Sequence, residues 1–150
     1  MITKEAILDV INQPPAVYLA TVEGSSPRIC ALENLRCAKR YPRQSVFCRA
    51  AGFVFYLSTS KSSRKITAIE GNPEVSLYFC DADKYRSAMF SGKAEVLNDQ
   101  VLREALWDDS WRIYWPSGVW DEDYVLVRLA PSNVMGWWGS QSYEVELTMI

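Results

Sequence analysis

Short blocks of alternating or clustered apolar residues run along this chain, each closed by a turn signal. Thr3–Asn12 places Ile7, Leu8 and Ile11 on one face behind a Thr3 cap and stops before Pro14-Pro15, which predicts a helix. Ala16–Val22 predicts a strand, Gly24-Ser25-Ser26-Pro27 a hairpin turn, and Arg28–Leu35 the returning strand. Lys39–Arg49 is basic and reads as a loop turning at Pro42. Phe53–Leu57, dense in aromatic and β-branched residues, predicts another strand. A hydroxyl-rich turn follows from Ser58 to Ser63, where Ser62 or Ser63 caps a helix running Arg64–Glu70 to a stop at Gly71. Asn72-Pro73 forces a turn, and Val75–Phe79 starts the next strand. Arg86–Leu97 predicts a strand with Gly92 at a bulge or close approach. Asp99 caps a helix through Trp107, Tyr124–Leu129 is a strand ended by Pro131, and Tyr143–Met149 is an edge strand or a trailing tail.

About six evenly spaced strands with two or three helices predict a mainly β fold with helical additions, an antiparallel barrel. The 150 residues fit one domain, 1–150, with enough chain to bury a core. The apolar runs are too short to span a bilayer, and the N-terminus is charged and amphipathic, so a cytoplasmic protein without a membrane segment is expected. Cys30, Cys37, Cys48 and Cys80 form no Cys-x-x-Cys pair, which argues for reduced thiols and no metal site.

Histidine is absent. That removes histidine-activated nucleophiles, histidine general bases and histidine metal or haem ligation, so an enzyme built from this chain leans on a cofactor for its difficult chemistry.

Charge singles out one region. The chain carries a net charge of −2, yet no acidic residue lies between Glu33 and Glu70, and Arg36, Lys39, Arg40, Arg43, Arg49, Lys61, Arg64 and Lys65 all do. A helix N-terminus offers unpaired N–H groups and a positive dipole end. With Ser58, Thr59, Ser60 and Ser63 before it and Arg64 and Lys65 in its first turn, it makes an anion site suited to phosphate. The alternative is an ordinary capped helix with solvated lysines. The basic Arg36–Arg49 segment is a poor nucleic-acid site, being one cluster without a binding motif in an acidic chain. The aromatic and acidic stretch around Trp111, Tyr114, Trp115 and Trp120 fits core packing or a dimer contact ahead of a ring-binding wall.

Thr59 and Ser63-Arg64-Lys65, then Asn72-Pro73-x-Val75-Ser76-Leu77, then Arg86 and Gly92-Lys93-Ala94-Glu95, resemble in order the FMN-binding segments of the pyridoxamine 5′-phosphate oxidase-like split-barrel family. Leu106-Trp107, Trp115-Pro116-Ser117-Gly118 and Asp121-x-Asp123 resemble its general-stress-protein branch. The resemblance implies a six-stranded antiparallel split barrel and a homodimer with FMN between subunits. It places the FMN phosphate on Thr59, Ser60, Ser63, Arg64 and Lys65, with Ser58 in the same turn. It puts Cys30 where the family often has an arginine beside the flavin, Ser87 where the oxidases have a ring-bonding glutamine, and Trp137 where a tryptophan reaches FMN across the dimer. The family's substrate-gripping Arg-x-His and a further flavin-binding arginine are replaced by Tyr143, Val145 and Leu147, which argues against pyridoxamine phosphate oxidation. A flavin carrier without turnover, or a protein holding the deazaflavin F420, are the alternatives. The electron partner is a small molecule of unspecified kind.

Overall fold

The computed structural model describes Met1–Ile150. The elements run α1 (Lys4–Asn12), β1 (Ala16–Glu23), β2 (Ser26–Glu33), α2 (Pro42–Ala50), β3 (Phe55–Ser60), α3 (Arg64–Gly71), β4 (Glu74–Asp81), β5 (Arg86–Leu97), α4 (Gln100–Leu106), β6 (Tyr124–Leu129), β7 (Asn133–Trp138) and β8 (Gln141–Glu146). Between α4 and β6 the chain makes two 3₁₀ turns, Asp109–Ile113 and Gly118–Trp120.

All strand pairs are antiparallel, and six strands follow the hydrogen-bonded order β2-β1-β4-β5-β6-β3. The sheet curls into a half-barrel whose two edges, β2 and β3, approach each other without a ladder. This is the split-barrel architecture. The β7–β8 hairpin adds to the same sheet through β5, so the chain's tail is an edge strand. β5 is the longest strand, at 12 residues. Its first half pairs with β7 and its last residues, Ala94–Leu97, pair with β6. The change of partner falls across Gly92, where a Cβ would stand 3.2 Å from Leu129 Cδ1.

The barrel interior holds the main core. Phe55, Phe79 and Phe90 stack with centroids 4.5 to 6.0 Å apart, closed on one side by Ile7, Val10 and Ile11 of α1. A fully buried phenylalanine such as Phe90 contributes roughly 2–3 kcal/mol by leaving water. A second cluster outside the barrel packs Trp107, Trp111, Trp115 and Tyr124 with Leu106, Leu126 and residues of α2. The Trp111 and Trp115 rings are therefore packed in a core, as their size favours.

Three local readings are corrected. Residues 42–50 form the helix α2, where a loop was expected. Pro42 sits at the first helical position, which suits its fixed φ. The buried face of α2 is Gln44, Ser45 and Cys48, so the usual apolar stripe that announces a helix is missing from the sequence. Ser58, Thr59 and Ser60 belong to β3, because alternate residues Phe55, Leu57 and Thr59 point inward and the ladder to β6 continues to Ser60–Tyr124. The cap of α3 also differs. Ser63 holds the N-cap position without a side-chain cap bond, and Ser62 turns its backbone N–H and hydroxyl to the Asp123 carboxylate at 2.8 and 3.0 Å.

The basic segment is largely consumed by the fold. Arg36 is buried and donates to the carbonyls of Cys48 and Gly52 and to Asn12. Arg43 donates to the carbonyls of Glu104, Ala105 and Trp107 at the end of α4, and Arg49 to those of Arg36 and Asn12. These guanidiniums bond helix-end and loop carbonyls, one of which, that of Trp107, also accepts from the Gln44 amide.

Candidate functional site

The split between β2 and β3 opens into a groove of about 430 Å³. One wall is Ala31–Glu33 at the end of β2, the other is Ser58–Ser60 at the end of β3, and Lys65 of α3 and the rims of Trp111, Tyr114 and Trp115 close it. Sequence order separates these residues widely, and only the curl of the sheet brings them together.

Several polar groups of the groove have partners within the chain. Lys65 Nζ donates to Thr59 Oγ1 at 3.1 Å, and Trp115 donates its indole N–H to Ser60 Oγ at 3.1 Å. Ser58 Oγ shares a hydrogen bond of 3.0 Å with the Tyr124 hydroxyl. At the N-terminus of α3 the Ser63 hydroxyl is buried and unpartnered. An orphaned buried hydroxyl calls for a ligand or a water. Lys65 makes no ion pair within the chain, so its charge stands uncompensated beside the groove. At the outer rim Arg40 pairs with Glu33 at 3.3 Å. A cation and three hydroxyls on one surface, next in sequence to an uncapped helix N-terminus, have the chemistry of a phosphate site.

The other expected site residues are distributed as follows. Arg64 points away from the groove, 76% exposed, into an adjacent cavity of about 700 Å³ where it meets Glu23 at 2.7 Å. Cys30 on β2 is half-buried against the main core; burial pushes its thiol pKa up, and the nearby Lys65 charge opposes the shift. Ser87 is buried and accepts the backbone N–H of Trp137 at 3.1 Å. Ser87 and Trp137 line a third cavity of about 370 Å³ with Tyr78, Tyr85 and Arg86. The chain therefore gathers Ser58, Thr59, Ser60 and Lys65 in one place and Ser87 with Trp137 in another.

The places of Glu33 and Arg40 at the groove were not read from the sequence, and Tyr114 and Trp115 were read as a ring-binding wall only behind core packing or a dimer contact. Trp115 lies 55 residues from Ser60 along the chain, and nothing local announces the contact. The density of aromatic residues in the 3₁₀ segment was the one available signal.

A family model described as pyridoxamine 5′-phosphate oxidase matches residues 3–138. General stress protein 26 of Bacillus subtilis (strain 168) is 26% identical over 134 residues, covering 87% of this chain and 85% of that protein. The pyridoxine/pyridoxamine 5′-phosphate oxidase of Actinobacillus pleuropneumoniae serotype 5b (strain L20) is 35% identical over 97 residues, covering 63% of this chain but only 39% of the oxidase. Among solved structures, a Clostridium acetobutylicum protein related to general stress protein 26 superposes with a TM-score of 0.75 at 23% identity, covering 99% of each chain. The general stress protein 26 of Bacillus anthracis str. Sterne gives a TM-score of 0.72 at 23% identity, over 96% of this chain and 98% of that one. These likenesses in structure speak for the fold.

Proposed function

Since this chain belongs to the pyridoxamine 5′-phosphate oxidase family, we propose that it is an FMN-binding oxidoreductase-like protein whose groove between β2 and β3 holds the flavin phosphate. The observation that carries the reading is Lys65, an unpaired cation beside Thr59, Ser60 and the orphaned Ser63 hydroxyl at the open end of α3. Bound FMN would supply hydride or single-electron chemistry, which a chain without histidine does not otherwise offer. Lys65 holds the phosphate by charge, Thr59 and Ser60 donate hydroxyl protons to it, and the aromatic rims of Trp111 and Tyr114 exclude water from one side.

Oxidation of pyridoxamine phosphate does not fit this chain. At the positions where the resemblance places substrate-gripping residues and a further flavin-binding arginine, Tyr143 gives its hydroxyl to the Ser87 carbonyl at 2.6 Å, while Val145 and Leu147 pack against the main core. None of the three offers a cation to a second phosphate. This favours either another electron partner or a flavin carrier without turnover.

The outer face of the sheet supports the reading as a homodimer. Tyr18 and Tyr78 are directly paired there, and Met135 and Trp137 continue the same face while remaining 37% and 53% exposed. Exposed aromatics in a row suit docking of a second copy. Because Trp137 and Lys65 line separate cavities in one chain, both serve one flavin only across such a dimer. No helix is long and apolar enough to cross a membrane. The four free thiols fit a reducing compartment such as the cytoplasm.

The visible absorbance spectrum of the purified protein, before and after adding FMN, tests the reading, with equilibrium dialysis for stoichiometry. One FMN per chain is expected. A colourless protein that ignores FMN overturns it, and F420 is then the next ligand to test. With FMN bound, absence of reduction by NADH or NADPH favours the carrier.

A further inference from the structure

Trp115 and Lys65 both donate to hydroxyls of the groove, and neither can accept. An indole N–H and an ammonium are donors only, so the direction of both hydrogen bonds is fixed by chemistry. A hydroxyl has one proton and two lone pairs. Ser60 Oγ receives Trp115 Nε1–H and Thr59 Oγ1 receives Lys65 Nζ–H, each at 3.1 Å, and neither hydroxyl donates its own proton to any group of the protein. Both protons are therefore left for a ligand, and with one lone pair of each oxygen already taken the two hydroxyls are biased toward donating.

Trp115 is well placed to impose this. Its ring is buried, with Tyr124 at 4.8 Å, Trp111 at 6.0 Å and Trp107 at 6.1 Å between centroids. The indole cannot swing away without unpacking that cluster.

We infer that Trp115 is a positioning residue that occupies one lone pair of Ser60 and orients its proton into the groove, so that the groove favours an unprotonated phosphate monoester, the stronger acceptor, over a neutral hydroxyl at the same place. The inference rests on the phosphate reading above and deepens it. Its signature is a ratio, because FMN and riboflavin differ only by the phosphate. A tryptophan that served packing alone would weaken both ligands together and leave the ratio unchanged.

Flavin fluorescence titrations of the full chain with FMN and with riboflavin give that ratio for wild type, Trp115→Phe, Ser60→Ala, the double variant and Lys65→Ala. Trp115→Phe and Ser60→Ala are each expected to lower the FMN preference about fivefold, the scale of one hydrogen bond. The double variant is expected to lose no more than the larger single. Ser60→Ala reads the same bond from its half-buried end, should Trp115→Phe unfold the aromatic cluster. A wild-type preference that Lys65→Ala abolishes but Ser60→Ala and any folded Trp115→Phe leave intact overturns the inference and keeps the phosphate reading. Losses that multiply in the double variant also overturn it. A wild-type protein with no preference for FMN overturns both.

Discussion

Arg64 Nη2 donates to Glu23 Oε1 at 2.7 Å, so the arginine of the Ser63-Arg64-Lys65 motif is turned away from the groove that its neighbour lines. Glu23 also receives Arg28 at 3.6 Å. The hydrogen bond from Arg64 holds the Glu23 carboxyl below its ordinary pKa, with the charges of Arg64 and Arg28 acting in the same direction. One carboxylate thus holds two arginines beside the N-terminus of α3.

Lys65 and Arg64 should therefore differ sharply when replaced. Lys65→Ala removes the one unpaired cation at the groove and is expected to weaken FMN binding about ten- to hundredfold, the range of a charge-assisted contact. Arg64→Ala is expected to change it less than about threefold, as befits an exposed charge screened by solvent. Fluorescence titration at fixed salt measures both. Equal losses would mean that Arg64 leaves Glu23 to reach the ligand.

Glu23→Gln tests the same competition from the other side. Without the carboxylate, Arg64 and Arg28 are free to turn toward an anion, and FMN binding is expected to tighten several-fold with a steeper dependence on salt. Adding Arg64→Ala to Glu23→Gln should cancel the gain. Persistence of the gain in the double variant would assign it to Arg28.

How far the sequence announces this site depends on the kind of signal each residue carries. Thr59, Ser60 and Lys65 sit next to one another in a strand–turn–helix stretch, so their meeting is a local matter and was expected. Trp115 and Glu33 reach the groove only through the curl of the sheet, which no local pattern encodes. The cation count around Arg36–Arg49 misled because charge in sequence says nothing of what a guanidinium bonds; three of these arginines hold backbone carbonyls. The helix α2 was missed because its buried face is polar. The strand framework was legible because alternation survives in β3 and β4, and the β7–β8 edge was left open because its last strand is mostly exposed.

Arg103 offers a stability test free of the ligand question. It is only 5% exposed and donates to the carbonyls of Val119, Asp121 and Tyr124, tying the second 3₁₀ turn to β6. Arg103→Met keeps most of the volume but removes all of these bonds; the Asp121 carbonyl keeps the Tyr124 N–H, and a carbonyl left buried without a partner costs about 1–3 kcal/mol. A loss of about 3–4 kcal/mol is expected in urea unfolding. A loss below 1 kcal/mol would show that water replaces the guanidinium.

Tyr78→Glu addresses the outer face. The side chain is 37% exposed and paired with Tyr18 across the β1–β4 ladder, so a carboxylate there is tolerated by the single chain. Against a second copy it would be buried without a partner. Sedimentation velocity should show a dimer for the wild type and a monomer for Tyr78→Glu, with an unchanged circular dichroism spectrum. A variant that remains dimeric places the interface elsewhere.

Alkaline pH should weaken the fold through Tyr124. Burial is the main cause that pushes this phenol up from 10.0 to about 12, and Tyr41 and Tyr143 are pushed to about 12 for the same reason. Between those values the unfolded chain has lost protons that the native protein keeps, so stability falls as pH rises from about 10 to 12. Cys48, raised by burial from 9.0 to about 11, brings the onset down toward pH 9. Arg36 works in the opposite direction: burial lowers it from 12.5 to about 10, so above that pH the native state sheds a proton the unfolded chain retains, which adds stability. Four acids against one base leave a net decline. For fully buried Tyr124 alone, the shift of two units corresponds to roughly 2–3 kcal/mol by pH 12. Tyr124→Phe loses the hydrogen bond to Ser58 and should be less stable at pH 8, yet its stability should fall more shallowly between pH 10 and 12. Guanidinium unfolding midpoints from pH 8 to 12 measure both slopes, and parallel curves for the two proteins would show that Tyr124 ionises without opening the aromatic cluster.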